Sequence, residues 1–90
     1  MISVIIDGKT IRNIHEAFDF IAQTLSFPEP FGHNYDALYD CLTTTFSPAS
    51  FSIENEAELI ENLGQDAFML KIVLKDAAEE NPFLNVDALI

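Results

Sequence analysis

The feature that most constrains this chain is the separation of its strand-like stretches. Ile2–Ile6 is a short run rich in β-branched residues. Phe51-Ser52-Ile53 alternates apolar and polar, and Phe83–Ile90 alternates through Leu84, Val86, Ala88 and Ile90. Between each successive pair lie two segments with helical periodicity. Strands so far apart cannot be joined by tight hairpins, so they are expected to pair in parallel through right-handed crossovers. Three short strands make one small sheet, which helices must cover. The expected order is strand, helix, helix, strand, helix, helix, strand, and the expected class is α/β with a three-stranded parallel sheet covered by helices. At 90 residues the chain is expected to be one domain, 1–90. A domain of that size buries roughly 60–65% of the surface its unfolded chain exposes, an adequate core without surplus.

Local signals place the elements. Asp7-Gly8 closes the first strand as a turn, or forms a tight hairpin with Lys9-Thr10-Ile11 as a stub of second strand. Asn13 with Glu16 three residues on has the pattern of a capping box, and Ile14, Ala17, Phe18, Ile21 and Leu25 recur at helical spacing. Two prolines and a glycine within Phe27–Gly32 form a stiff loop. Asn34 caps a second helix running to Thr44 or Thr45. Ser47–Ser50 reads as a turn. Glu56, Leu59, Ile60 and Leu63 mark a short helix ended by Gly64. A further helix from Asp66 is expected to turn Phe68, Met69, Ile72, Val73 and Ala77 inward and Lys71, Lys75 and Glu79 outward. Asn81-Pro82 ends it.

Charge narrows function. Four Lys and Arg against fifteen Asp and Glu give a formal net charge of −11. The basic residues are Lys9, Arg12, Lys71 and Lys75, so only histidine supplies positive charge between Arg12 and Lys71. Nucleic acid and anionic membranes would be repelled, whereas encounter with a basic protein would be accelerated. The bland alternative is acidity that only keeps the protein soluble. No stretch has the length of a membrane span or the pattern of a signal peptide, and the single cysteine, Cys41, cannot form an internal disulfide; a cytoplasmic location is expected.

Phe31-Gly32-His33-Asn34-Tyr35-Asp36-Ala37-Leu38-Tyr39-Asp40-Cys41-Leu42-Thr43 is the segment richest in chemistry. On a helix, Tyr35, Leu38 and Leu42 make a core-facing stripe, while Asp36, Tyr39, Asp40 and Thr43 share the other face. Asp36 lies in the first turn, where the helix dipole favours it. Asp40 has no such support and stands one turn from a like charge. A solvated helix face is the plain structural reading. His33, Asp36 and Asp40 could offer three metal ligands, but the start of a helix makes a poor cage, and no Cys/His cluster or Ca²⁺ loop is present. Neither His15 nor His33 belongs to a nucleophile motif, the glycines stand alone without forming a phosphate loop, and Cys41 on an apolar stripe is expected to be inert. No enzyme activity and no cofactor are expected.

This segment resembles the signature of the barstar family, intracellular inhibitors of secreted bacterial ribonucleases, in which an aromatic-Gly-x-Asn-x-Asp-Ala-Leu-aromatic-Asp-Cys-Leu-Thr run forms a loop and an inhibitory helix. Ile-Asp-Gly-x-x-Ile-Arg-x-Ile near the start and Val-Leu-Lys-Asp-Ala-Ala-Glu-Glu later are similar to the family's first strand and last helix. The resemblance implies a three-stranded parallel sheet with packed helices and a monomer when free. It also implies a basic, extracellular-type, barnase-like ribonuclease as partner. Asp40 would then enter the nuclease active site in place of a substrate phosphate, with Asp36 meeting a second basic group and Asn34 and Tyr39 packed around them. Phe31, Gly32 and Thr43 would belong to the same surface, and Asp76 and Glu80 would reach basic groups at its edge. The chain departs from the family at Tyr39 and near Thr45, where the family carries tryptophan, at Pro30, where it carries an aromatic, and at Asp76, where it carries glutamate. The alternative is a relative of these inhibitors whose acidic helix neutralises a different basic protein or toxin.

Overall fold

The computed structural model describes residues 1–28 and 31–86. Its elements follow in the order β1 (Ile2–Asp7), α1 (Ile14–Leu25), α2 (Tyr35–Thr44), β2 (Ala49–Glu54), α3 (Glu56–Leu63), α4 (Gln65–Glu80) and β3 (Leu84–Val86). The sheet is parallel throughout in the order β1-β2-β3, with Val4 opposite Phe51 and Ala49 opposite Leu84. Val4, Ile6, Ala49, Phe51 and Leu84 are buried while Ser3, Ile5 and Asn85 are exposed, so one face of the sheet carries the core and the other meets solvent. Phe18 and Ile21 of α1, Leu38 and Leu42 of α2, Leu59 of α3, and Leu70 and Leu74 of α4 fill that core. Each such side chain contributes about 1.5–3 kcal/mol by leaving water.

The turn after β1 settles the choice left open there. Amides of Thr10 and Ile11 both donate to the Asp7 carbonyl at 3.0 Å, and Ile11 is buried instead of pairing as a strand. Gly8 is required by proximity: a Cβ there would stand 2.1 Å from the Asn55 carbonyl oxygen and 2.5 Å from the Leu59 amide nitrogen. Asn55 and Asn62 of the facing segment donate to Asp7 Oδ1 (2.7 Å) and to the Gly8 carbonyl (3.0 Å), locking this turn onto both ends of α3.

Helix starts follow the expected chemistry. Asn13 Oδ1 accepts from the Glu16 amide at 3.0 Å, while Glu16 reaches back to Arg12 through both its backbone amide (2.7 Å) and its guanidinium (3.0 Å). Helix α1 ends on Ser26 in the left-handed region (φ 55°), and the following Phe27 amide closes onto the Ala22 carbonyl at 2.9 Å. Asn81, held extended before Pro82, ends α4.

Two expectations need correction. Strand β2 begins at Ala49, not Phe51, because the Ala49 amide donates to the Phe83 carbonyl and joins the ladder; the turn is therefore earlier. In α4 the inward residues are Ala67, Leu70, Leu74 and Ala77, whereas Phe68, Met69 and Ile72 are exposed. From Ala67 to Val73 α4 is apolar nearly all round, Lys71 excepted, and the face carrying the two alanines is the one that can approach the sheet closely. Lys71 is correspondingly not free outward: its ammonium pairs with Glu56 and its side chain is mostly covered. The part of the closing stretch that includes Ala88 and Ile90, and Pro30 of the loop, lie outside the described residues.

Candidate functional site: the exposed faces of two clamped helices

Helix α2 presents Asp36, Tyr39 and Asp40 to solvent, with Thr43 half-buried beside them. Its position is set from both ends. At the start, Asn34 Oδ1 accepts from the Ala37 amide at 2.7 Å, capping the helix. The Tyr35 ring packs edge-on against Phe18 at 5.3 Å, and its hydroxyl donates to Asp66 Oδ1 at 2.7 Å, on the first turn of α4. At the end, Asn81 donates to the Leu42 carbonyl (2.8 Å) and the Thr45 carbonyl (2.9 Å), satisfying two groups that the helix terminus leaves without partners. Leu38 and Leu42 anchor the middle. The start of α2 is thus tied to the start of α4 and its end to the end of α4, so the two helices run side by side in one direction.

That arrangement brings a second set of carboxylates to α2. Tyr39 is 36% exposed, and its phenol is held above the usual tyrosine range, first by partial desolvation and then by the nearby charges of Glu80, Asp76 and Glu79. The ring therefore stands as a neutral hydroxyl among carboxylates. Asp76 and Glu80 of the expected set are brought to it. Glu79, expected merely to face outward, is the addition; its position, one turn beyond Lys75 on the same helix, carries no local motif that could have marked it. The Cys41 thiol is likewise pushed up, by burial and then by Asp40.

The electrostatics are uncompensated. Among the described residues the ion pairs are Arg12 with Glu16, His33 with Asp19 and Lys71 with Glu56, and none involves Asp36, Asp40, Asp76, Glu79 or Glu80. Ionised carboxylates only accept hydrogen bonds, so this surface calls for a donor-rich, cationic complement. Among the described residues no group of three or more His, Cys, Asp or Glu has metal-holding geometry, and no helix is long and apolar enough to cross a membrane.

The remaining predicted residues fall in different places. Gly32 is exposed, and a Cβ there would meet only Asn34 Nδ2 at 3.5 Å and the Ala37 Cβ at 3.8 Å, ordinary contacts that the fold tolerates. Phe31 is 7% exposed, which corrects its expected place on the surface: its ring packs against Phe18, Phe27 and His33 and holds the loop to α1. The Thr43 hydroxyl is turned back on its own helix, donating to the Tyr39 carbonyl at 2.8 Å.

Comparison with known proteins adds two findings. The family model described as "Barstar (barnase inhibitor)" matches residues 1–89. A Bacillus subtilis (strain 168) protein named "Putative ribonuclease inhibitor YrdF" is 36% identical over 81 residues, spanning 89% of this chain and 89% of that relative.

Proposed function

The chain belongs to the barstar family, and from that premise we propose that it is a protein inhibitor of a secreted, barnase-like ribonuclease and not itself an enzyme. The observation that carries the reading is Asp40, exposed on a helix clamped at both ends and unpaired with any cation among the described residues. A carboxylate in that setting can enter a cleft built to hold phosphate. There it accepts charge-assisted hydrogen bonds from arginine, lysine or histidinium while water is excluded. Clamping α2 before the encounter lowers the ordering cost of binding. Asp36 serves a second basic group, Tyr39 packs between them, and Asp76, Glu79 and Glu80 extend the negative field toward the rim. That field accelerates encounter. Free, the inhibitor is a monomer of the cytoplasm, where a secreted ribonuclease would do harm before export.

The test is titration of RNA hydrolysis by purified barnase and related secreted bacterial ribonucleases with the wild-type chain and with Asp40→Ala. Stoichiometric inhibition is expected, weakened at least about a hundredfold in the variant. Failure to bind any of these nucleases at low salt overturns the reading.

A further inference from the structure

Helix α4 exposes apolar surface that its fold does not use. Phe68 is 50% exposed, Ile72 51% and Met69 43%, although each lies on a helix whose other side fills the core. Single exposed apolar side chains are ordinary, but three within two turns of one helix form a patch, and patches of this kind mark interaction sites. Lys71 accounts for part of one ring only: its ammonium is 6.0 Å from the Phe68 centroid. Nothing comparable covers Ile72 or Met69 among the described residues.

The patch is continuous with the acidic surface. Asp76 is one helical turn beyond Ile72 and two beyond Met69, and Glu79 is two turns beyond Ile72. Asp76, Glu79 and Glu80 in turn bear on Tyr39 of α2. The outer side of α4 is thus apolar along its first half and carries Asp76, Glu79 and Glu80 with a single exposed lysine, Lys75, along its second, and that predominantly acidic half abuts the helix that carries Asp40. Charge decides the occupant. A second copy would bring formal −11 against −11 and set these carboxylates against their equivalents, and an anionic lipid surface is repelled in the same way.

We propose that Phe68, Met69 and Ile72 are a second contact for the same basic ribonuclease, one that presents an apolar surface beside its cationic cleft. This rests on the ribonuclease-inhibitor reading above. The patch selects among nucleases that share the cleft, and it acts on dissociation, because short-range apolar packing forms after the charge-steered encounter.

The test takes a panel of secreted basic ribonucleases, barnase included, and uses the member that the wild-type chain binds best. Phe68→Ser with Ile72→Ser, and Ile72→Thr alone as the milder change, are compared with Asp40→Ala by binding kinetics at several salt concentrations, with melting temperature as the check on folding. Dissociation is expected to accelerate about tenfold or more in the double variant and less in Ile72→Thr, while the salt dependence of association stays that of wild type. Unchanged dissociation in folded patch variants, with binding still lost in Asp40→Ala, overturns the patch and leaves the inhibitor reading standing. Absence of wild-type binding across the panel overturns both. Sedimentation that shows a wild-type dimer dissociated by the patch variants assigns the patch to a second copy and also overturns the inference.

Discussion

The side-chain amide of Asn81 donates to the main-chain carbonyl of Leu42 at 2.8 Å, and this buried bond joins the end of α4 to the end of the helix that bears Asp40. Asn81 is 4% exposed and also reaches the Thr45 carbonyl, so one side chain closes two acceptors that would otherwise lose their hydration unrewarded.

Asn81→Ala is therefore expected to cost about 1–3 kcal/mol, because it leaves carbonyls buried without donors as well as removing the bonds themselves. Asn81→Asp should do worse, setting a carboxylate against two carbonyl oxygens. Urea denaturation measures both. Stability within about 0.5 kcal/mol of wild type in Asn81→Ala would mean that the end of α2 is held by packing alone.

The glycines separate into two kinds that denaturation can tell apart. Gly8→Ala would force a Cβ into the backbone of Asn55 and Leu59, with no flexible side chain able to yield, so a loss of several kcal/mol or failure to fold is expected. Gly32→Ala meets only ordinary contacts and should leave stability within about 0.5 kcal/mol. If Gly32→Ala nevertheless weakens nuclease binding, the reason lies in the partner's approach and not in the fold. Equal destabilisation by the two changes would contradict the geometry.

The two tyrosines report the environment of α2 directly, since the chain has no tryptophan to obscure them. Both phenols are raised above the ordinary value of 10.0. Burial and then Asp66 raise Tyr35; partial desolvation and then Glu80, Asp76 and Glu79 raise Tyr39. A raised folded-state value means that the native state holds its proton where the unfolded chain has released it. The associated stability is complete below pH 10 and declines as pH rises above it. Phenolate absorbance should thus appear in the native protein at higher pH than in the urea-unfolded chain, and Glu80→Gln should shift the Tyr39 part downward. Coincident native and unfolded titrations would refute the placement of these carboxylates.

Much of this fold is legible where a local chemical signal and a long-range requirement coincide. Asn13, Asn34 and Gly64 mark helix ends because backbone groups there need a nearby partner or a permissive φ, and each acts where expected. The parallel sheet follows from the spacing of its strands. Helix α4 was not legible in the same way. Ala67, Leu70, Leu74 and Ala77 compete with Phe68, Met69, Ile72 and Val73 for the inward face, and periodicity cannot rank two apolar stripes on one helix. Sheet proximity ranks them, and it is a tertiary property. The burial of Phe31 is illegible for a related reason: it depends on Phe18 of α1 and on Phe27, against which the intervening loop folds it. Glu79 gained its place beside Tyr39 only through the pairing of α2 with α4.

Asp40 should be a residue that harms the free protein while serving the complex. It stands one turn from Asp36, and like charges at that spacing cost an isolated helix about 0.2–0.5 kcal/mol. Asp is also a weaker helix former than Ala by up to ~0.7 kcal/mol. Asp36 differs, because the first turn of α2 favours a negative side chain. Asp40→Ala is accordingly expected to raise the stability of the free chain by about 0.5–1 kcal/mol at low salt, and the electrostatic part should shrink as salt is added. Asp36→Ala should gain less or lose slightly. The Cys41 thiol offers an independent readout: with Asp40 removed, one cause of its raised pKa disappears, and its reaction with a disulfide reagent should shift to lower pH. A stabilised variant that no longer inhibits would place Asp40 among residues kept for the partner at a cost to the fold. If Asp40→Ala instead destabilises the free chain, the carboxylate has a structural partner, and its role as an unpaired group awaiting a cationic cleft is wrong.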